Sequence, residues 1–498
     1  MRYLVIITLF LSILFQQAGA QTLSDAYRLS NLKVNGTARA SAMGNAFGAL
    51  GGDFTSLSIN PAGIGVYRKN ELVITPVIKF NNSEFNLNGS KFSDDKYHIK
   101  VNSIGFVGSF NTNSANSGLV SFNFGLGYNN LVDYNQNFYG KIDSSSSSFL
   151  HEIVDYANAE SLSNDYLNQD MRDVEYRDWP TKLAWDNYLI DPVLDDNGDE
   201  IDGKYISLLF PKEKVNQRKI YTQTGGIDEF VLSGGFNFNH KLYLGATFGF
   251  QNVNINQLTE YSETFGANSY TFGEDYSLQG IGYNLKFGAI FKPANFIRLG
   301  AAFHTPTFYD LNEEKEIFIN ARLMDNTGTN GINIYDYNFI SPWKAILSGA
   351  IVFNKSGLIS FDAEYLDYSD MKYRRSSSSD EDLIDVNTEI SNNFQSALNI
   401  RVGGELKITP QFSVRGGYEL YPNAQENTNN ENYFQPIALD NSTVYAFGLG
   451  YASNGFYTDV TFRNVTDKYL LNDIQPNFKN MDLTNSNNKV MLTLGFKF

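Results

Sequence analysis

From Glu71 onward the chain alternates apolar and polar side chains in segments of about nine to fourteen residues, a period of two that predicts strands rather than helices. In the last segment Val490, Leu492, Leu494, Phe496 and Phe498 share one face, while Met491, Thr493, Gly495 and Lys497 share the other. Phe230, Leu232, Gly234, Phe236 and Phe238 alternate in the same way with Val231, Ser233, Gly235, Asn237 and Asn239. Phe456, Val460 and Phe462 alternate around Asp459, and a charge between apolar neighbours is expected to face inward. The pattern predicts strands over 71–81, 97–111, 117–131, 228–239, 241–256, 277–292, 296–308, 341–353, 357–369, 392–407, 411–421, 442–452, 455–466 and 487–498.

That makes fourteen strands, and their connections alternate between short and long. Short turns on one side, long loops on the other, an even strand number and an apolar stripe on each strand describe an all-β, antiparallel transmembrane β-barrel. A secreted soluble sheet protein would also alternate. Three features favour lipid: strand lengths near the roughly 9–11 residues of a tilted bilayer crossing, the regular alternation of connections, and an aromatic-rich final strand ending in Phe498. A barrel closes its own edges and satisfies its backbone hydrogen bonds within the membrane. Tyr128, Tyr134, Phe138, Tyr139, Tyr418, Tyr421 and Tyr445 fall near strand ends, where interfacial girdles are expected. The barrel region is 71–498, and its largest loop, about 140–226, belongs outside the cell. That loop carries Ser144–Ser148, a predicted helix near 149–162, and the aromatics Tyr166, Trp179, Trp185, Tyr188 and Phe210; it is expected to act as a lid or capture groove, or else as a variable exposed loop. The run Ser376–Ser379 marks another polar loop.

The chain opens with Arg2, an apolar run from Tyr3 to Phe15, and Ala18-Gly19-Ala20, the pattern of a secretory signal peptide over 1–20, too short to span a bilayer. The following segment, 21–70, does not alternate. Gly36, Ala38, Ala40, Ala42, Gly44, Ala46, Gly48, Ala49, Gly51 and Gly52 are dense enough to predict close backbone packing. Within it Pro61 fixes its own φ and biases Asn60 away from helix, leaving the Asn60 side chain to cap a turn or to bond a nearby backbone group.

With 54 acidic against 38 basic residues, the net charge of -16 excludes a nucleic-acid footprint, which needs clustered Lys and Arg. A charged fraction of 18% is low for a water-soluble domain. Zero cysteines exclude disulfides, thiolate metal sites and Cys nucleophiles. His98, His151, His240 and His304 lie far apart and form no paired-ligand motif, so neither a metal nor a cofactor is expected. Asp195–Glu200 is rich in oxygen, but Gly198 sits at the wrong offset for an EF-hand loop, so the stretch reads as a solvated acidic turn. No GxSxG elbow or phosphate-binding loop is present, and an enzyme is not expected.

The stretch G-T-A-R-A-S-A-M-G-N-A-F-G-A-L-G-G-D, with L-S-I-N-P-A-G-I-G after it, resembles the N-terminal hatch of the FadL/OmpP1/TodX family of outer-membrane transporters. The resemblance implies a fourteen-stranded barrel plugged by a hatch over 21–70, with Asn60, Pro61 and Ala62 as its gating motif. Phe498 resembles the C-terminal signal read by the barrel-assembly machinery. The resemblance further implies a monomer in the outer membrane of a diderm, Gram-negative-type bacterium. Such a protein would take up hydrophobic compounds passively, long-chain fatty acids by family default, by loop capture, hatch gating and lateral release into the outer-membrane lipid. The resemblance also places a lateral opening at an interruption near 117–131. Heme capture and a surface-binding, adhesin-like barrel are the alternatives.

Overall fold

The computed structural model describes residues 22–87, 90–112, 118–210, 212–323, 326–354, 356–375, 383–426, 437–438, 440–471 and 481–498. The signal segment 1–20 and the run Ser376–Ser379 lie outside them. Fourteen antiparallel strands form one closed wall. They are β1 (Glu71–Leu87), β2 (Ser90–Asn111), β3 (Leu119–Asp133, continued by Gln136–Ser145), β4 (Val215–Phe238), β5 (Leu242–Phe265), β6 (Asn268–Ala294) and β7 (Ile297–His304, continued by Phe308–Arg322). After these come β8 (Asn326–Ile340, continued by Lys344–Phe353), β9 (Gly357–Asp367, continued by Lys372–Arg375), β10 (Ser396–Lys407), β11 (Phe412–Tyr421), β12 (Ser442–Ser453), β13 (Phe456–Leu471) and β14 (Met481–Lys497). The ring closes where β1, from Glu71 to Asn86, pairs with β14, from Lys497 to Asp482.

The alternation works as expected. On β5, Leu242, Leu244, Phe248 and Phe250 face outward and are exposed, while Tyr243, Thr247 and Gln251 are buried inside. Beyond Phe250 the outward positions become Asn252, Asn254 and Asn256, so the apolar band ends there. β4, β5 and β6 nevertheless run for 24, 24 and 27 residues, more than twice a bilayer crossing. Three stretches expected as long loops are therefore hairpins that carry the wall past the membrane, pairing out to Leu87 and Ser90, to Phe265 and Asn268, and to Arg322 and Asn326. Their outward faces are mostly polar, with Ile332, Ile334, Tyr97 and Ile99 as exposed exceptions, which breaks up the apolar stripe that marks a membrane strand but leaves the backbone ladder intact.

The girdle expectation is corrected at three positions. Tyr418 and Tyr445 face lipid as a ring pair with centroids 5.2 Å apart, and Tyr128 packs on Phe230 at 5.5 Å. Phe138 and Tyr421 are buried inside instead, and the Tyr134 hydroxyl donates inward to the Arg28 carbonyl.

Inside the wall sits the N-terminal segment, with helices α1 (Leu23–Ser30), α2 (Ala38–Ala42) and α3 (Ser56–Ile59) and a 3₁₀ turn at Pro61–Val66. Ala38, Ala40, Ala42, Ala46 and Ala49 have no exposed surface, so the small residues do bring backbone against backbone. Above the barrel, residues 146–210 fold into a cap with helices α4 (Phe149–Glu160) and α5 (Trp179–Asp186) and a hairpin of Ile190–Leu194 against Glu200–Ser207. In the hairpin turn, the Asp195 carboxylate accepts from the N–H groups of Asn197 and Asp199.

Candidate functional site

The plug is fastened to the wall through the Asn-Pro-Ala turn. Asn60 ends α3 in an extended conformation, and Pro61 starts the 3₁₀ turn, where a missing N–H costs nothing. Asn60 Oδ1 accepts from the Ala62 N–H at 3.1 Å. Its Nδ2 donates to the carbonyls of Gly48 at 2.6 Å, Ala289 on β6 at 3.1 Å and Ala301 on β7 at 3.3 Å. One buried amide thus ties two plug segments to two wall strands. The approach demands glycine on the wall: a Cβ at Gly288 would lie 1.9 Å from Asn60 Oδ1. Ala62 packs with Tyr243 and Ile290. Asn123 on β3 seals the end of the turn by donating to the Ile64 carbonyl at 2.7 Å.

Around the plug the lower lumen is polar, and its charges are arranged in pairs. Lys286 reaches Glu229 at 2.7 Å, Arg463 reaches Glu419 at 3.0 Å, and Arg401 pairs with Glu364. Arg415 bridges Glu405 at 2.7 Å and Asp459 at 2.5 Å, so the inward charge read at Asp459 is confirmed. Plug residues join in: Arg39 reaches Glu405 at 2.9 Å, and Asn45 donates to Glu419 at 3.2 Å. Sequence reasoning missed these partners because they sit on different strands, 10 to 57 positions apart within the wall and 366 and 374 apart between plug and wall; isolated charges at inward positions of apolar strands were the available signal.

Between β2 and β3 the wall carries a seam. Over Ser121–Asn129 the β3 ladder is continuous on both sides, and the irregularities expected near 117–131 lie at the two ends of that range, between Leu119 and Ser121 and between Asn130 and Val132 on the β4 side. The seam begins at the upper one. The register shifts between Asn130 and Val132, β2 above Ser103 pairs only with β1, and the continuation of β3 from Gln136 pairs only with β4. Side chains cross where the backbone does not. Lys79 reaches Asp133 at 2.7 Å, His98 reaches the same carboxylate at 2.8 Å, Lys96 donates to Asn137 at 2.9 Å, and Lys100 lies 3.5 Å from Asp228. Tyr97 and Ile99 beside the seam are 77% and 75% exposed, so apolar side chains face outward along it.

Above the plug the lumen becomes apolar and aromatic. Leu23, Ala26 and Leu29 of α1 pack against Leu131, Ile255, Tyr276, Tyr309, Tyr337 and Tyr373 of the wall. Arg28 of the same helix donates to the Tyr276 hydroxyl at 3.0 Å. The cap closes over a second apolar cluster that includes Phe149, Ile153, Trp179 and Leu183 with Phe265, Phe272 and Ile319 of the wall. Its anchor is Glu263, a fully buried carboxylate that accepts from the Ser148 hydroxyl, the Phe149 N–H at 2.9 Å, Gln217 at 3.0 Å, and the hydroxyls of Tyr261 at 2.5 Å and Tyr270 at 2.9 Å. Within the cap, burial pushes the Tyr166 hydroxyl up to about 12; it stays protonated and donates to Asp178 at 2.8 Å. At the opposite end, Phe498 exchanges two backbone hydrogen bonds of 3.1 Å with Asn70, which brings the chain end to the plug–barrel junction.

A closed fourteen-stranded wall with an apolar outer band, a folded plug and a paired-charge lumen defines an integral outer-membrane barrel of the plugged transport class. The chain belongs to the outer membrane protein transport protein family (OMPP1/FadL/TodX), whose model matches residues 221–497. Among solved structures it is similar to the Pseudomonas putida toluene transporter TodX, at 12% identity over 94% of this chain and 99% of that one, with a TM-score of 0.52. A Pseudomonas aeruginosa FadL homologue gives the same identity, coverage and score. The Ralstonia pickettii toluene transporter TbuX is 14% identical over 94% of this chain and 99% of its own, with a TM-score of 0.52. At such identities the likeness establishes the fold. No curated protein matches the sequence.

Proposed function

We propose that this outer-membrane protein is a channel for passive uptake of hydrophobic compounds, long-chain fatty acids in the first instance. Capture occurs at the cap, the plug hinging on Asn60, Pro61 and Ala62 acts as the gate, and the cargo leaves sideways through the seam between β2 and β3. The observation that carries this reading is the seam itself, a stretch of wall held by side chains, with Tyr97 and Ile99 facing outward beside it. An apolar molecule leaving there enters hydrocarbon without crossing water, and its movement is downhill. The barrel-assembly machinery is proposed to read the last strand with Phe498, and the protein to work as a monomer.

A second reading within the same class is a neutral, non-acidic cargo. It is favoured by the lumen, where Lys79, Lys286, Arg401, Arg415 and Arg463 each face a carboxylate already, so a fatty-acid head group pairing with any of these five must break a buried ion pair. The toluene transporters named above belong to the same fold. The test is uptake of labelled oleate, toluene and heme by cells lacking the gene, with and without the wild-type gene restored. Gene-dependent uptake of oleate or toluene supports the channel and chooses between the two readings; gene-dependent uptake of heme alone, or of none, contradicts it.

A further inference from the structure

The seam has two lips, and one short stretch of the plug holds both. The β2–β3 ladder ends where Ser103 pairs with Asn129. Next to that rung each strand carries a residue that its other neighbour skips. On β2 it is Asn102, passed over where Val101 pairs with Pro76 and Ser103 with Thr75 of β1. On β3 it is Leu131, passed over where Asn130 pairs with Asp228 and Val132 with Ile227 of β4. A bulge re-aims the groups of its extra residue away from the ladder, and both of these meet the plug. The Asn102 amide donates to the Gly36 carbonyl at 2.7 Å, and the Asn35 amide donates to the Leu131 carbonyl at 2.8 Å. Two consecutive plug residues, both buried, thus join the lips at the point where the backbone stops joining them. The same stretch is tied on its far side to the neighbouring wall. Asn35 Oδ1 accepts from Lys489 of β14 at 2.8 Å and from Arg463 of β13 at 3.2 Å, and the Ala38 carbonyl accepts from Thr461 of β13 at 2.6 Å. It belongs to the fold of the plug as well: the Thr37 N–H donates to Thr55 at 2.8 Å, and a Cβ on Gly36 would fall 2.3 Å from the Thr55 side chain.

We propose that Asn35 and Gly36 are the clasp of the lateral opening. The seam parts only when this stretch of the plug withdraws, so one movement of the plug clears the lumen and frees the wall. The inference rests on the transport reading above and names the residues that couple its two gates. Asn35 is a positioning residue, acting through Leu131 and not on the cargo. Above the last rung the lips share no backbone bond, so the two buried hydrogen bonds to the plug are the first that spreading must break. In a dry site neither is exchanged for a bond to water, so each weighs more than a surface contact of the same length.

The experiment reads opening at the last rung. Ser103 is buried and its hydroxyl bonds to nothing among the described residues, so Ser103→Cys places a single thiol there at little cost in a chain without cysteine. The rate at which N-ethylmaleimide labels that thiol is measured on the purified full-length protein in detergent. Asn35→Asp keeps an oxygen for Lys489 and Arg463 but has no donor for Leu131, and it should raise the rate about tenfold, the effect of one buried hydrogen bond. Should Asn35→Asp fail to fold, Asn102→Ala, which frees the other lip, must give the rise instead. Thr461→Val removes a bond to the same stretch without touching either lip and should leave the rate unchanged. No rise from either lip variant, or an equal rise from Thr461→Val, overturns the clasp and leaves the channel standing. Uptake of labelled oleate and toluene by cells is read alongside. A faster thiol reaction in Asn35→Asp, with uptake in wild type and variant alike no higher than in cells lacking the gene, upholds the clasp and overturns the channel reading.

Discussion

The side-chain amide of Asn60 donates to the main-chain oxygen of Ala289, 3.1 Å away on the barrel wall, and to the plug's own Gly48 at 2.6 Å. Removing that amide leaves buried carbonyls on both sides without their donor. Asn60→Ala is expected to destabilise the plug by about 1–3 kcal/mol, the cost of a buried unsatisfied group. Thermal melting in detergent should show the plug loosening before the barrel unfolds. A variant melting like the wild type would show that Asn60 is no joint.

The same contact can be attacked from the wall. Gly288→Ala places a methyl group 1.9 Å from Asn60 Oδ1, so the Asn60 side chain must give way and lose its bonds to the wall, whereas at Gly349 an added Cβ meets nothing within 4 Å. Gly288→Ala should raise single-channel conductance in planar bilayers by displacing the plug, and Gly349→Ala should leave it unchanged. Matching traces from both variants would mean that the plug is not held at this point.

At the seam, burial decides which pair matters. Lys79 and Asp133 have side chains 0% and 1% exposed, so Lys79→Met leaves a buried carboxylate with only His98 and Asn135 as partners and should cost up to about 3–5 kcal/mol. Lys100 and Asp228 are each 26% exposed, and Lys100→Ala should cost under about 1 kcal/mol. Chemical denaturation distinguishes the two, and equal effects would contradict the assignment of Lys79 as the inner latch.

The cap hangs on Glu263. Glu263→Ala withdraws the acceptor shared by Ser148, Phe149, Gln217, Tyr261 and Tyr270, and residues 146–210 should then be cut faster by protease while the strands stay protected. An unchanged cleavage rate would place the cap's anchor in its apolar packing alone.

The barrel was legible in the sequence because lipid imposes a period of two. Leu242, Leu244, Phe248 and Phe250 must face hydrocarbon whatever lies inside. Where lipid stops, so does the signal: from Asn252 to Asn256 the outward residues turn polar, and beyond Asn256 the sequence suggested a loop where the strand runs on to Phe265. The plug was legible through its small residues and Asn60-Pro61-Ala62, but not the glycine that receives Asn60, because Gly288 has no side chain to betray its role. The seam at the upper end of 117–131 was legible only as an expected irregularity: nothing in Asn130 to Asn137 names the missing partner strand, and only the absence of backbone pairing to β2 marks the break.

The most direct test of lateral release exploits the absence of cysteine in the chain. Cysteines placed at Lys100→Cys and Asp228→Cys, whose side chains meet across the seam, can be joined by a short, reducible thiol-specific cross-linker in intact cells. Uptake of the labelled hydrophobic compound is then measured before bridging, after bridging and after reduction. Lateral release predicts that bridging lowers uptake to the level of cells lacking the gene and that reduction restores it; full uptake through a completely bridged barrel would contradict it.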